Sequence, residues 1–135
     1  ALPALAQLSP TTVLEDATVP RSKVPDMIRA IRDVAENYNL TIGTFGHAGD
    51  GNLHPTIITD EANEDEMARV HMAGDVIFDA AIKLGGTLSG EHGIGIAKQK
   101  YLLNEFGESG IEALKAVKRA LDPDNILNTG KVVTI

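Results

Sequence analysis

Three histidines and one glutamate lie in two short glycine-rich segments of the sequence. His47 and His54 flank residues 48–52, and Glu91 and His92 are neighbours further along the chain. Imidazole and carboxylate groups are ligands of catalytic zinc, and manganese or iron(II) accept the same set. Two histidines and one glutamate can therefore hold a divalent ion, which leaves one histidine for proton transfer.

The two histidines of the first segment are predicted to lie on a β-hairpin. Residues 40–47 and 53–59 have the composition of strands, and the five residues between them contain the Gly and Asn that tight turns require. His47 and His54 would then occupy nearly facing positions, where Cβ atoms lie about 4.5–5.5 Å apart. Side chains at such positions can reach one metal ion.

The second segment is predicted to divide its two side chains between two tasks. Glu91 and His92 follow Gly90, and adjacent side chains of an extended or turn segment point in different directions. We assign Glu91 to the metal, together with His47 and His54, and we assign His92 to the base.

The composition favours a single domain over residues 1–135 and excludes several functions. The net charge of −7 gives an acidic surface, which repels nucleic-acid phosphates and anionic lipids. The chain has no Cys, which excludes disulfides, thiolate nucleophiles and Cys-ligated metal clusters within it. No apolar run approaches the roughly 18 residues of a membrane-spanning helix. We therefore expect neither nucleic acid nor a direct membrane span.

The order of the predicted elements indicates an α+β, ferredoxin-like fold. Strands are predicted over residues 11–19, 40–47, 53–59 and 87–89, and helices over residues 24–38 and 63–84. This β-α-β-β-α-β order predicts an antiparallel sheet with both helices on one face. Two further helices are predicted over residues 97–106 and 109–121. The inward stripe of the second would contain Ile111, Leu114, Val117 and Leu121.

The glycine-rich segments do not match a phosphate-binding loop. Neither contains GxxxxGK[ST], and neither follows a strand and opens the helix of a βαβ unit. The run Gly93-Ile94-Gly95 is too short for a dinucleotide fingerprint. These loops alone are therefore not expected to bind a nucleotide.

Three motifs resemble those of the FAD-linked 2-hydroxyacid oxidoreductases. This family includes the flavin subunit of glycolate oxidase, D-lactate dehydrogenase and D-2-hydroxyglutarate dehydrogenase. Residues 46–54 resemble its G-H-x-G-D-G-N-L-H motif, and residues 86–95, GTLSGEHGIG, resemble its second motif. Residues 121–131 are similar to its D-P-x-x-x-L-N-P-G-K tail, with Thr129 in place of the proline. The resemblance covers essentially the whole chain and is to the C-terminal, substrate-cap part of the family.

The resemblance implies a role for each candidate residue. His47, His54 and Glu91 would bind a divalent metal, usually zinc or manganese, which would hold the substrate's carboxylate and 2-hydroxyl. His92 would take the hydroxyl proton while the C2 hydride passes to flavin N5. Asn128 falls where the tail of the family approaches the flavin.

The resemblance also implies partners outside these residues. The family's FAD-binding domain is N-terminal and larger, so FAD is expected to bind mainly there, and this chain by itself is expected to be inactive. The expected substrate is a small 2-hydroxyacid such as glycolate or D-lactate. An iron–sulfur subunit or a second flavin subunit is compatible with the glycolate oxidase resemblance. We expect a bacterial cytoplasmic protein. Any contact with a membrane would be peripheral and would be made through partner subunits.

The remaining polar residues have simpler interpretations. Arg21 and Lys23 are candidates for flavin or substrate contact, although a solvated helix entrance explains them better. His71 lies within a predicted helix and is interpreted as structural. Asp50 and Asn52 are interpreted as turn formers rather than as ligands.

Two other functions are alternatives to the oxidoreductase. The first is a non-catalytic metal- or effector-binding module with a ferredoxin-like fold. His92 argues against it, because a purely structural metal site does not need a further histidine. The second is a stand-alone metallohydrolase, which assays with ester and amide substrates would distinguish.

Overall fold

The computed structural model describes residues 2–135 and divides into two compact units, Ala1–Glu91 and His92–Ile135. The first unit contains an antiparallel sheet of four strands and two long helices, which confirms the expected α+β class. Its elements are α1 (Leu2–Leu5), β1 (Thr11–Leu14), β2 (Ala17–Thr18), a 3-10 turn (Arg21–Lys23), α2 (Val24–Tyr38), β3 (Thr41–His47), β4 (Asn52–Thr59) and α3 (Glu64–Lys83).

The sheet is arranged around β4. This strand pairs antiparallel with β1 and β2 along one edge and with β3 along the other. A single bridge between Thr18 and Thr87 stands where the short strand over residues 87–89 was expected. The arrangement is therefore the expected ferredoxin-like one, with its last strand reduced to one bridged pair.

The strand predicted over residues 11–19 is interrupted at Glu15 and Asp16. β1 and β2 keep one continuous register on β4, so no residue is inserted between them. The Glu15 amide still donates to the Pro55 carbonyl at 2.9 Å. Because proline has no N–H, β4 cannot return the second hydrogen bond of this pair. Pro55 on β4 therefore interrupts the hydrogen-bond ladder at the break between β1 and β2.

The hydrophobic core lies between the sheet and the two long helices. Its buried residues are Ala17, Val19, Met27, Ile31, Val34, Leu53, Ile57, Val70, Ala73, Ile77 and Ala81. The helical periodicity predicted both helices correctly: α2 has the expected bounds, and α3 begins after Asn63, whose Oδ1 accepts from the Glu66 amide at 3.1 Å. Within residues 2–135, no helix combines the length and the apolar character that crossing a membrane requires.

The opposite face of the sheet carries the candidate site. Ile42 packs into the core, so the alternation of side chains along β3 turns Gly43, Phe45 and His47 to the other face. A Cβ added to Gly43 would lie 2.8 Å from Leu5 Cδ2, which shows that α1 covers this face there. The candidate site lies on the same face at the other end of β3, at His47.

The second unit consists of a short 3-10 turn (Gln99–Tyr101), α4 (Leu102–Leu121) and the C-terminal tail. α4 is broken at Gly107, whose φ of 64° interrupts the helix, so two helices are present as expected. The predicted inward stripe is wrong at its C-terminal end, because Val117 and Leu121 are 58% and 77% exposed. Periodicity identifies an apolar stripe but does not show what covers it.

Arg69 ties α3 to the end of α2. Its Nη1 donates to the carbonyls of Tyr38 and Asn39 at 2.6 and 2.8 Å, and such C-terminal carbonyls have no partner within their own helix. We expect Arg69→Ala to lower the free energy of unfolding by about 1–3 kcal/mol in urea titrations followed by circular dichroism. The exposed Arg32→Ala is the control and should change it by less than about 0.5 kcal/mol. Equal effects of the two variants would contradict the tie.

Asp122 holds the turn after α4. The hydrogen bond from Lys118, and then those from the Leu127 and Ile126 amides at 3.0 Å, hold the pKa of its carboxyl below the usual 3.8. A depressed pKa means that this stabilisation is complete above the ordinary pKa and is lost as the pH falls through the folded value. In pH titrations followed by NMR, the two amides should shift with a midpoint below 3.8. Asp122→Asn should abolish that step, and a midpoint at or above the ordinary value would refute the assignment.

Candidate metal site

The side chains of His47, His54 and Glu91 converge on the sheet face opposite the helices. Each offers one ligand atom, and these atoms all lie within 4.8 Å of one another. Glu91 Oε1 lies 2.9 Å from His54 Nε2 and 3.5 Å from His47 Nε2. The three residues assigned to a metal from the sequence therefore form one group.

The hairpin brings the histidines together by a different register from the one expected. The loop has four residues rather than five, so His47 pairs with Asn52, and His54 pairs with Phe45. The two histidines are diagonal neighbours on the same face rather than facing ones. Side chains as long as imidazole reach across such a diagonal. Their ring centroids are 5.5 Å apart, with the ring planes nearly perpendicular at 88°.

The three side chains differ in how firmly they are held. The His54 side chain is only 5% exposed, and its ring centroid lies 5.5 Å from that of Phe45. The side chains of His47 and Glu91 are 57% and 49% exposed. His54 is thus held in place by burial, whereas the side chains of His47 and Glu91 have room to move.

The donor set fits a divalent metal. Ligand atoms about 2.1 Å from a tetrahedral ion lie about 3.4 Å from one another. The two measured separations from Glu91 Oε1, 2.9 and 3.5 Å, lie on either side of that value. Two imidazole nitrogens and one carboxylate oxygen also leave coordination positions open for a substrate, as catalytic rather than structural sites do. Zinc, manganese and iron(II) all accept this set.

A cavity of about 420 Å³ opens beside the group. It is lined by Thr18, His47, Asp50, Asn52, Gly90 and Glu91. Two of the three candidate ligands thus border a space large enough for a small organic acid, and its remaining lining residues are mostly polar.

Asn52 was misjudged from the sequence, whereas Asp50 was not. Asp50 donates its amide to the His47 carbonyl at 2.9 Å, as a turn residue does. Asn52 instead opens β4 and is buried against Gly90: a Cβ on Gly90 would lie 1.9 Å from Asn52 Nδ2. Only a glycine allows the second segment to approach the sheet so closely.

Asp16 was not identified from the sequence as part of the site. It is fully buried and accepts hydrogen bonds from the segment that carries Glu91. An acidic residue within a run of β-branched residues was the available indication, because such a run otherwise predicts an uninterrupted strand.

The other predicted site residues have separate positions. His92 begins the second unit directly after Glu91, and Asn128 lies in its tail with a φ of 48°. Asn128 also borders a cavity of about 360 Å³ formed within that unit. The catalytic role of His92 and the flavin contact of Asn128 stay predictions.

Two further candidates have ordinary surroundings. Lys23 Nζ lies 3.3 Å from Asp26 Oδ2, and hydrogen bonds from Lys23 and Arg29 lower the pKa of Asp26 below its usual value. Arg21 is exposed in the same turn before α2. These contacts suit the solvated helix entrance. His71 is exposed on α3, in agreement with its structural interpretation.

Comparison with known proteins identifies the family of the chain. Residues 1–132 match the family described as FAD linked oxidases, C-terminal domain. Glycolate oxidase subunit GlcD of Bacillus subtilis (strain 168) is 59% identical over 132 residues, which are 98% of this chain and 28% of that protein. GlcD of Escherichia coli (strain K12) is 39% identical over 131 residues, 97% of this chain and 26% of that protein. D-lactate dehydrogenase of Archaeoglobus fulgidus is 40% identical over 118 residues, 87% of this chain and 26% of that protein.

The family match spans both compact units and all the candidate site residues. The chain covers about a quarter of the length of these curated relatives. This chain therefore belongs to the family of FAD linked oxidase C-terminal domains.

Proposed function

We propose that this chain is the metal-binding and proton-transferring part of an FAD-linked oxidoreductase that converts a small 2-hydroxyacid into the 2-oxo acid. Glycolate and D-lactate are the proposed substrates, because the similar proteins are named for them. The observation that carries the proposal is the convergence of His47, His54 and Glu91 beside a polar cavity, in a chain of this family.

Oxidation of a 2-hydroxyacid removes a proton from oxygen and a hydride from carbon. No amino-acid side chain is a hydride acceptor, so in our proposal FAD, bound outside this chain, would supply that acceptor, and a divalent metal held by His47, His54 and Glu91 would supply a Lewis acid for the hydroxyl. His54 would provide the buried ligand atom, and His47 and Glu91 would provide the two more exposed ones. Burial supports this assignment, because His54, the least exposed of the three residues, lies within the buried strand β4.

His92 is the proposed base. It is the residue next to Glu91 and is not a member of the ligand group found among the described residues. An imidazole is the side chain most often used for general acid–base catalysis. Holding it one residue from a metal ligand would place the base close to the hydroxyl from which the proton leaves.

FAD and any partner subunit lie outside this chain in our proposal. We place the FAD-binding domain in the part of the longer protein that these relatives have and this chain does not cover. Asn128 is proposed to contact the flavin, because its tail motif resembles that of the family. The relatives named GlcD are described as glycolate oxidase subunits, which supports a complex with a further subunit. We propose in addition that such a subunit carries electrons and makes any peripheral contact with a membrane.

Removal of the buried ligand tests the metal site directly. We expect the wild-type chain, loaded with Zn²⁺ or Mn²⁺ and freed of excess ion, to retain about one ion per chain by elemental analysis. His54→Ala should retain almost none, because it removes the rigid ligand atom. His71→Ala is the matched control and should behave as wild type, since His71 is exposed on α3. Full metal content in His54→Ala would exclude His54 from the ligand set.

Substitution of the proposed base tests the proton-transfer step in the full-length flavoprotein. We expect His92→Ala to lower kcat for D-lactate or glycolate by about 10²–10⁴-fold, while the metal content is unchanged. Stopped-flow measurement of flavin reduction reports this step separately from later electron transfer. A non-catalytic metal-binding module would instead show unaltered flavin reduction in the variant.

A further inference from the structure

Asp16 is a buried carboxylate that the ligand group itself does not include. It lies between β1 and β2 and is fully buried. The shared register of β1 and β2 on β4 places Asp16 across the ladder from His54, and hence on the face that carries the site. A buried carboxylate is costly unless hydrogen bonds replace its lost water, so its partners indicate its role.

The described hydrogen-bond partners of Asp16 include three consecutive residues that end at a proposed metal ligand. Asp16 Oδ2 accepts from Ser89 Oγ at 2.6 Å and from the Glu91 amide at 3.0 Å. Asp16 Oδ1 accepts from the Gly90 amide at 3.1 Å. Both oxygens are therefore used, and they bind the backbone from which the Glu91 side chain departs.

The Glu91 segment needs such an anchor because the sheet does not hold it. In the described chain, the pairing with β2 is limited to the bridge between Thr18 and Thr87, and no ladder continues to Glu91. The Glu91 side chain is half exposed, so packing does not fix it either. His54, in contrast, is held by its pairing with Phe45 on β3 and by burial.

Gly90 shows how closely this segment is drawn onto the sheet. A Cβ at this position would lie 1.9 Å from Asn52 Nδ2 and 2.3 Å from Thr18 Oγ1. Gly90 therefore lies in direct contact with Thr18 of β2 and with Asn52 of β4. The close approach and the three hydrogen bonds act together to set one position of the Glu91 backbone.

We propose that Asp16 is a positioning residue that holds Glu91 where its carboxylate meets His54 and His47. The inference deepens the metal-binding function proposed above and rests on it. Groups that orient a metal ligand in this way typically change metal affinity by about 10–100-fold when they are removed. Asp16 acts through the Ser89–Gly90–Glu91 backbone and does not itself touch the ion.

The decisive experiment compares Asp16→Asn with wild type and with Asp122→Asn in this 135-residue chain. Asp122 is a matched control, because it is also a buried acid that accepts backbone amides, but its described partners are Lys118, Ile126 and Leu127. We expect Zn²⁺ affinity, measured by competition with a chelator, to fall about 10–100-fold in Asp16→Asn and to stay as in wild type in Asp122→Asn. The visible absorption of the Co²⁺-loaded chain should change only in Asp16→Asn.

A second measurement tests the anchor without any metal. In the metal-free chain, hydrogen exchange of the Gly90 and Glu91 amides should be about tenfold faster or more in Asp16→Asn than in wild type. Unaltered exchange, or unaltered Zn²⁺ affinity and Co²⁺ absorption, would overturn the role of Asp16. If Asp16→Asn does not fold, Ser89→Ala serves instead, because it removes the hydrogen bond from Ser89 Oγ to Asp16. We expect Zn²⁺ affinity to fall, and exchange of the Gly90 and Glu91 amides to rise, by about three- to tenfold in Ser89→Ala. No change in this variant would overturn the proposal.

The wild-type arm separates this inference from the proposed function. A wild-type chain that binds no divalent ion would overturn the metal site and the positioning role together. A wild-type chain that binds an ion, with an Asp16→Asn variant of equal affinity, would overturn the positioning role alone.

Discussion

The structure of the first unit depends on one strand with two different faces. β4 pairs with β1, β2 and β3, and all eight of its residues are buried. Its alternation sends Leu53 and Ile57 into the core beneath the helices and turns His54 to the opposite face. A shift of one residue in its register would exchange these two sets. The helix packing that fixes the register of β4 therefore also decides to which face the His54 side chain points.

Local patterns in the sequence were sufficient for the helices and for the membership of the ligand group. The apolar stripes of α2 and α3 repeat over four and five turns, so their periodicity outweighs any single residue. The glycines around His47 and Glu91 indicated turns that bring distant residues together. What those patterns lacked was the hairpin register, because a loop of four residues and one of five differ by the conformation of a single residue, Asn52.

The errors share a physical cause, which is that a tertiary partner decided the outcome. The strand over residues 11–19 has favourable composition throughout, but Pro55 on the neighbouring strand cannot complete the ladder at Glu15. The α4 stripe has a helical period, yet its last apolar residues remain exposed in the second unit. Asp16 was included in that predicted strand, and its hydrogen bonds with the amides of Gly90 and Glu91 are visible only in the structure.

The candidate site combines one firmly held side chain, that of His54, with two more exposed ones, and these two properties have different structural causes. His54 is held by its pairing with Phe45 on β3, by the burial of its side chain and by the contact with the Phe45 ring. Glu91 lies beyond the end of the sheet, where strand pairing cannot reach it. A loop that had to order itself on metal binding would spend part of the binding free energy on lost backbone entropy. In our proposal, a buried carboxylate that already holds this loop would remove that cost, and the need for pre-organised ligands would account for a buried acid beneath the proposed cation site.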